Sequence, residues 1–230
     1  GGGGLAAGVA LAAKLKAKEM GRKMKVYAVQ ASEAAAYPAS LKAGRPLEVK
    51  INPTIADGIA VAKPGKVPFE IIKSHVDRVV TVTEDEIAKA MLGVMERSKL
   101  VVEAGGAVGA AALAAKKLKL KGKTAVILSG GNIDPLLLQR VIRHGLAASD
   151  RYTNIAVMLP DRPGQLVRTA QAVASAHANV VEVLHTRHGN GLEISEVELD
   201  LSVETRGKAH RDEVIESLKK AGLKPRLFEN

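Results

Sequence analysis

The sequence predicts an α/β chain in two parts, and three observations carry that reading. Up to about residue 148, helix-period segments alternate with short apolar runs, the pattern of an open, mainly parallel sheet with flanking helices. From residue 151 the strands become longer and alternating, in the order β-α-β-β-α-β of a small ferredoxin-like domain. The third observation is size: 230 residues suffice for one large core or two modest ones. The domains are therefore expected at 1–150 and 151–230.

The elements follow in order. Residues 5–17 are alanine- and leucine-rich and read as a helix, and residues 25–30 (KVYAVQ) as a short buried strand. Residues 32–43 can form a helix that Pro38 kinks or shortens. A loop through Pro53, Gly58, Pro64 and Gly65 precedes a helix over 68–75 and a strand over 78–82. Thr83 and Glu86 have capping-box spacing, which launches a helix to about residue 98. A helix over 104–118 is interrupted by glycines that allow close packing. Residues 123–128 (KTAVIL) read as a strand ending in Ser129, and Asp134 with Pro135 begins a helix to about 147. In the second part, strands are expected at 154–159, 180–187, 192–204 and 224–228. Helices are expected at 165–177 and 210–221. Asp161-Arg162-Pro163-Gly164 is a turn, and Gly189-Asn190-Gly191 is a hairpin signal.

Composition narrows the function. Zero cysteines exclude a disulfide framework and thiolate metal ligands. No run reaches the ~18 apolar residues of a membrane span. The basic residues of 14–25 follow the first apolar run instead of preceding it, so that run is no signal peptide. The expectation is a cytoplasmic globular protein without a membrane or nucleic-acid partner. Lys and Arg outnumber Asp and Glu by 34 to 24, but with five Phe or Tyr, no Trp and no binding motif the excess reads as a solvated surface. The six histidines show no metal spacing on one face; His185 and His188, three apart on a strand, point to opposite sides. Surface or interface roles are expected for them.

Chemistry concentrates in loops. Gly1, Gly2, Gly3 and Gly4 stand directly before Leu5 and the first helix. Crowded backbone N–H groups and a helix dipole make such a loop a phosphate cradle, although alone it reads equally as a flexible segment. Ser129, followed by Gly130 and Gly131 beyond an apolar run, can point a hydroxyl into a cleft. The plainer reading is a strand-to-helix turn capped by Asp134. Glu103 ends another apolar run and reads either as a buried, hydrogen-bonded carboxylate or as a helix cap.

In order and spacing, GGGGLAAGVA, TIADGIAV, LVVEAGGAVG and LSGGNID resemble the C-terminal part of the threonine dehydratases. These belong to the fold-type II pyridoxal-phosphate family with serine racemase and serine dehydratase. The resemblance covers residues 1–148. It implies pyridoxal 5'-phosphate as cofactor, its phosphate cradled by Gly1 to Gly4 with Leu5 and its pyridine nitrogen hydrogen-bonded by Ser129. Gly58 and Glu103 would line the same pocket. A neutral hydroxyl at the nitrogen makes the ring a weaker electron sink than a carboxylate would, which favours prompt β-elimination over transamination.

Two departures qualify the resemblance. The S-F-K-x-R-G-like motif, whose lysine forms a Schiff base with the cofactor in this family, is absent, and neither Lys42 nor Lys99 is a credible substitute. The chain is therefore expected to be part of a longer enzyme and inactive alone, with no catalytic residue of its own. The metal-binding Glu and Asp of serine racemase-like members are matched by Gln30 and Ala36, so no divalent metal site is expected. Residues 151–230, with the DRPGQL turn, are similar to ACT domains, which often bind amino acids. That similarity makes Asp161, Gly164 and Asn179 candidate effector residues, although each also has a plain structural role at a turn or strand start. The expected activity of the intact enzyme is deamination of L-threonine, or L-serine, by a homo-oligomer under amino-acid control. The alternative is a stand-alone amino-acid-binding regulatory fragment without catalysis.

Overall fold

The computed structural model describes residues 1–187 and 192–228. The expected hairpin at Gly189-Asn190-Gly191, and His188, lie outside the described residues. The chain divides into two compact units, Gly1–Gly145 and Leu146–Asn230.

The first unit begins with α1 (Gly4–Glu19), a run of strong helix formers that buries Ala7, Ala10 and Ala17. Strand β1 (Tyr27–Ala31) pairs in parallel with β2 (Arg78–Val82), from Tyr27 opposite Arg78 to Ala31 opposite Val82. Between them lie α2 (Ala36–Ala43) and α3 (Lys66–His75). The helix expected over 32–43 is broken: Ser32–Ala34 forms a 3₁₀ turn and α2 starts at Ala36. Pro38 sits in the first turn of α2, where its missing N–H costs no helical hydrogen bond. It shortens the helix without kinking it. Tyr37 and Phe69 stack with ring centroids 6.4 Å apart, in a core shared with Ala7 and Ile72.

Helix α4 (Glu84–Ser98) carries the expected capping box. The Glu86 amide donates to Thr83 Oγ1 (3.3 Å) and the Thr83 amide to Glu86 Oε2 (2.9 Å). Helix α5 (Ala104–Ala114) is built almost entirely of Ala and Gly and packs in a core with Val82, Ile87 and Met91. It stops short of residue 118 because Lys116 turns left-handed at φ 53°. The Lys117 amide then closes onto the Ala112 carbonyl (3.0 Å).

The strand expected over 123–128 is not formed. These residues join no ladder among the described residues, and Lys123, Thr124, Ala125 and Ile127 are exposed. An apolar run becomes a strand only when a neighbour supplies backbone partners, and here β1 and β2 pair only with each other. Helix α6 (Pro135–Ala148) starts as expected, with Asp134 Oδ1 accepting from the amides of Leu136 (2.8 Å) and Leu137 (3.0 Å).

The second unit follows the order β3 (Tyr152–Pro160), α7 (Gln165–Ser175), β4 (Asn179–Thr186), β5 (Glu196–Glu204), α8 (Lys208–Lys220), β6 (Lys224–Leu227). All its strand pairs are antiparallel, in the order β4-β5-β3-β6. Strand β5 alternates cleanly, with Val197, Leu199, Leu201 and Val203 buried, as a one-sided sheet requires. Those residues meet Val173 of α7 and Val214 and Leu218 of α8. His210 departs from the surface role expected of the histidines. It is buried, accepts from the Arg206 amide through Nδ1 (3.1 Å), and donates from Nε2 to the Ala176 carbonyl (2.7 Å).

Candidate functional site

In the first unit the glycine loop is anchored from behind. The Gly2 carbonyl accepts from the Gly65 amide (3.0 Å) and from the Tyr37 hydroxyl (3.0 Å). Burial pushes the Tyr37 phenol up to about 12, so it remains a donor at neutral pH. Gly3 caps α1 at φ 98°, and a Cβ there would overlap the Tyr37 hydroxyl. A Cβ on Gly4 would meet nothing within 4 Å, so the space before the helix is open. The leading amides of α1 have no intrahelical acceptor and suit an anion.

Ile59 links this loop to the other candidates. A Cβ built on Gly1 would lie 3.5 Å from Ile59 Cα, and one on Gly105 3.2 Å from Ile59 Cγ2. Gly58 faces Glu103, its added Cβ standing 3.6 Å from Glu103 Oε1. Glu103 occupies the cap position of α5 but does not cap it with its side chain. Its Oε2 instead accepts from the Asn132 amide (3.2 Å), and its own amide donates to the Gly130 carbonyl (3.2 Å). Gly130, at φ 81°, leaves no room for a side chain against the Glu103 carboxylate. Gly106 likewise leaves none against the Ser129 carbonyl.

Gly1 to Gly4, Gly58, Glu103 and Ser129 thus converge from four separate stretches of chain. Ser129 is half-buried, and no hydrogen bond of its hydroxyl is found among the described residues. It is held by the packing of Gly130 and Gly106 and not by a strand end. Leu5, in the first turn of α1, is exposed. Lys42 is exposed on α2, and Lys99 closes α4 with its ammonium on the Glu96 carbonyl (2.7 Å). Gln30 is buried, its Oε1 accepting from the Tyr37 amide (2.9 Å). Sequence reasoning missed Ile59, Gly105, Gly106 and Tyr37. Two adjacent glycines inside a helix, each unfavourable there by roughly 0.5–1 kcal/mol, were the available signal for a close approach.

The second unit has a cavity of about 240 Å³ at the Asp161–Gly164 turn. Arg162 and Gln165 line it from the turn side, and His185 and Arg187 from the end of β4. Gly164, at φ 88°, caps α7. Arg187 lies 3.5 Å from Asp161, and Gln165 Oε1 is buried without a hydrogen-bond partner. Asn179 is not brought to this cavity. It starts β4 at the opposite end of the strand, where its amide donates to Glu204 (3.2 Å).

Among the described residues no group of three or more acidic or histidine side chains could hold a metal ion. No helix among them is long and apolar enough to cross a membrane.

Residues 1–130 match the family described as pyridoxal-phosphate dependent enzyme. An L-threonine ammonia-lyase from Geobacter sulfurreducens is 43% identical over 223 residues, 96% of this chain and 54% of that protein. One from Thermotoga maritima is 42% identical over 228 residues, 99% of this chain and 56% of that protein. The chain spans about half the length of these relatives. The crystal structure of a threonine deaminase from T.th. aligns with a TM-score of 0.54 at 37% identity, over 58% of this chain and 48% of that one. The processed isoform 2 of threonine deaminase from Solanum lycopersicum gives 0.54 at 34% identity, over 63% and 42%. The loop-and-carboxylate site thus lies within the stretch that carries the family likeness, and the chain belongs to the pyridoxal-phosphate dependent enzymes.

Proposed function

We propose that this chain supplies one side of the active site of a pyridoxal-phosphate-dependent threonine ammonia-lyase. The intact enzyme deaminates L-threonine, or L-serine, to the corresponding 2-oxo acid and ammonia; from threonine the product is 2-oxobutanoate. The observation that carries this reading is the convergence of the glycine loop, Gly58, Glu103 and Ser129, linked through Ile59, Gly105 and Gly106.

These residues fit the cofactor. Open space before Gly4 and the unpaired first-turn amides suit a phosphate dianion. The partnerless Ser129 hydroxyl suits a ring nitrogen, and the glycines at 58 and 130 let the Glu103 carboxylate pack directly against the backbone beside it. Bound there, pyridoxal phosphate would supply the electron sink for loss of the β-hydroxyl. Gly3, Gly4 and Leu5 would hold its phosphate, and Ser129 would share a hydrogen bond with its nitrogen without placing a full proton there. The Tyr37 hydroxyl and the Gly65 amide both donate to the Gly2 carbonyl, which would leave its lone pairs engaged and not opposed to a bound anion. The lysine that carries the cofactor would come from sequence outside this chain.

The test is Ser129→Ala in the full-length protein. 2-Oxobutanoate formation from L-threonine should fall by about ten- to a hundredfold, equivalent to the ~1–3 kcal/mol of one buried hydrogen bond, while the bound-cofactor spectrum remains. Unchanged turnover with unchanged cofactor affinity removes Ser129 from the site.

A second reading rests on the other cavity: the second unit is an ACT-like domain that binds an amino-acid effector and pairs with a second copy. The partnerless Gln165 Oε1 and Asp161 suit an ammonium group, and Arg162 with the amides after Gly164 suits a carboxylate. Isothermal calorimetry with isoleucine, valine, serine and threonine tests it. Heat lost in Gln165→Ala supports the reading, and no heat with any of the four rejects it.

A further inference from the structure

The positive charge of this protein is not spread evenly. Residues 14–25 carry six Lys or Arg against one acid, and residues 116–123 carry five Lys and no acid. These stretches meet at a second cavity of the first unit, of about 490 Å³. Three distant segments line it: Lys25 and Tyr27 at the start of β1, Asp77 and Arg78 at the start of β2, and residues 116–119 beyond α5. Lys14 reaches its edge from α1, ten residues beyond Gly4. At 1.5 Å per residue that is about 15 Å from the glycine loop, so this cavity is separate from the cofactor candidates.

The acids here are already committed. Asp77 accepts from Lys14 Nζ (2.6 Å) and from the Val26 amide (2.7 Å). Burial works to raise its pKa, but those bonds and the charges of Lys14 and Lys25 hold it below the ordinary value. Lys117 is paired with Glu86 (2.7 Å). Lys25, Arg78, Lys116 and Lys119 have no ion pair among the described residues. Four cations around one cavity repel one another, and Asp77, already bonded to Lys14 and Val26, offsets only part of their charge. Lys116 adds a further sign: it occupies a left-handed position at φ 53°, where glycine is the favoured residue, and so places a charge at the rim at a backbone cost.

We propose that this cavity is a binding site for a compact polyphosphate anion, held by Lys25, Arg78, Lys116 and Lys119. A chain of two or three phosphates matches four unpaired cations in charge and fits the volume. Ammonium groups on flexible stems and one guanidinium fork suit phosphate oxygens. The anion would tie β1, β2 and the segment after α5 together, and so stabilise the first unit from the side away from the glycine loop.

The test is calorimetry and thermal unfolding of the 230-residue chain with inorganic tripolyphosphate at low salt. We expect saturable one-to-one binding, a rise in the unfolding temperature of the first unit, and loss of both as salt is raised. Lys116→Gly keeps the backbone conformation while removing the charge, and Lys119→Ala removes a second cation. Each should weaken binding about tenfold, the scale of one charge-assisted contact, whereas Lys208→Ala in the second unit should leave it unchanged. ATP serves as the second arm. Affinity equal to that of tripolyphosphate assigns recognition to the phosphates alone. Tighter binding that is lost in Tyr27→Ala assigns the nucleoside to Tyr27. No binding of tripolyphosphate at low salt, equal weakening by Lys208→Ala, or binding of single-stranded RNA alone would overturn the proposal.

Discussion

The two units of this chain solve the same problem with different materials. The first holds 23 basic and 12 acidic residues, the second 11 and 12, so the whole positive excess sits in the first. Its sheet is a single parallel pair with five paired positions, while the second unit joins four strands through ladders of nine, seven and four. The cores differ in kind as well. Around α5 the first unit packs Ala104, Ala107, Ala111 and Ala112, with glycines letting backbones touch side chains directly. The second packs Ile155, Val157, Leu199, Leu201 and Leu218 between sheet and helices. Branched aliphatics and complete ladders make a self-sufficient domain. Glycines and small residues bury less apolar area per residue, and what they yield instead is close approach of separate stretches of chain, as where Gly106 meets the Ser129 carbonyl and Gly130 meets Glu103.

This contrast can be broken first at the cores. Phe69→Ala removes a fully buried ring and should cost the first unit about 3–5 kcal/mol. Leu201→Ala should cost the second about 2–5 kcal/mol. Hydrogen exchange read at amides of both units should show each substitution lowering protection in its own unit only. A common loss in both would mean one cooperative body and end the comparison.

A sharper probe is Gly106→Ala. The new methyl would press on the Ser129 carbonyl, which belongs to the backbone and cannot swing aside. The expected cost is about 1–3 kcal/mol, with the Ser129 and Gly130 amide resonances shifted and those of the second unit unmoved. Gly4→Ala, where a Cβ meets nothing within 4 Å, should leave stability almost unchanged.

The smallest effect is a titration. The Tyr37 phenol, pushed up by burial, should stay neutral until pH rises toward about 12. Its folded pKa lies above the ordinary phenol value of 10.0, so its contribution to stability is complete below that value and is lost as pH climbs through about 12. Absorbance at alkaline pH should show one late phenol, and Tyr37→Phe should remove that step.

Much of the fold was legible because local chemistry decides it. The Thr83–Glu86 box and the Asp134–Pro135 helix start depend on neighbours in sequence, and the structure has them as read. Residues 123–128 were misread because strand formation depends on a partner that no local pattern reveals. The end of α5 was misread because Lys116 takes a conformation that favours glycine. At the site, the glycine loop, Glu103 and Ser129 were visible as residue types in loops. Ile59, which packs between Gly1 and Gly105, was not, since an isoleucine in a turn has no signature until the chain is folded. Asn179 was grouped with the Asp161 turn by the likeness to ACT domains, and it starts β4 opposite Glu204, at the end of the strand away from that turn.

The central claim is that the first unit carries a cofactor cradle formed by Gly1 to Gly4 and Ser129, whether or not a lysine is present to anchor the group. Pyridoxine 5'-phosphate tests it most directly, because it has the phosphate and the ring nitrogen but no aldehyde to react with a lysine. The measurement is a titration of the isotope-labelled chain followed by amide chemical shifts. The account predicts weak, saturable shifts at Gly3, Gly4, Leu5, Gly58 and Ser129, with the Ser129 and Gly58 shifts reduced in Ser129→Ala and the glycine-loop shifts retained. Shifts confined to the lysine-ringed cavity or to the second unit, with the amides of Gly3 to Leu5 unmoved in a folded chain, would contradict it.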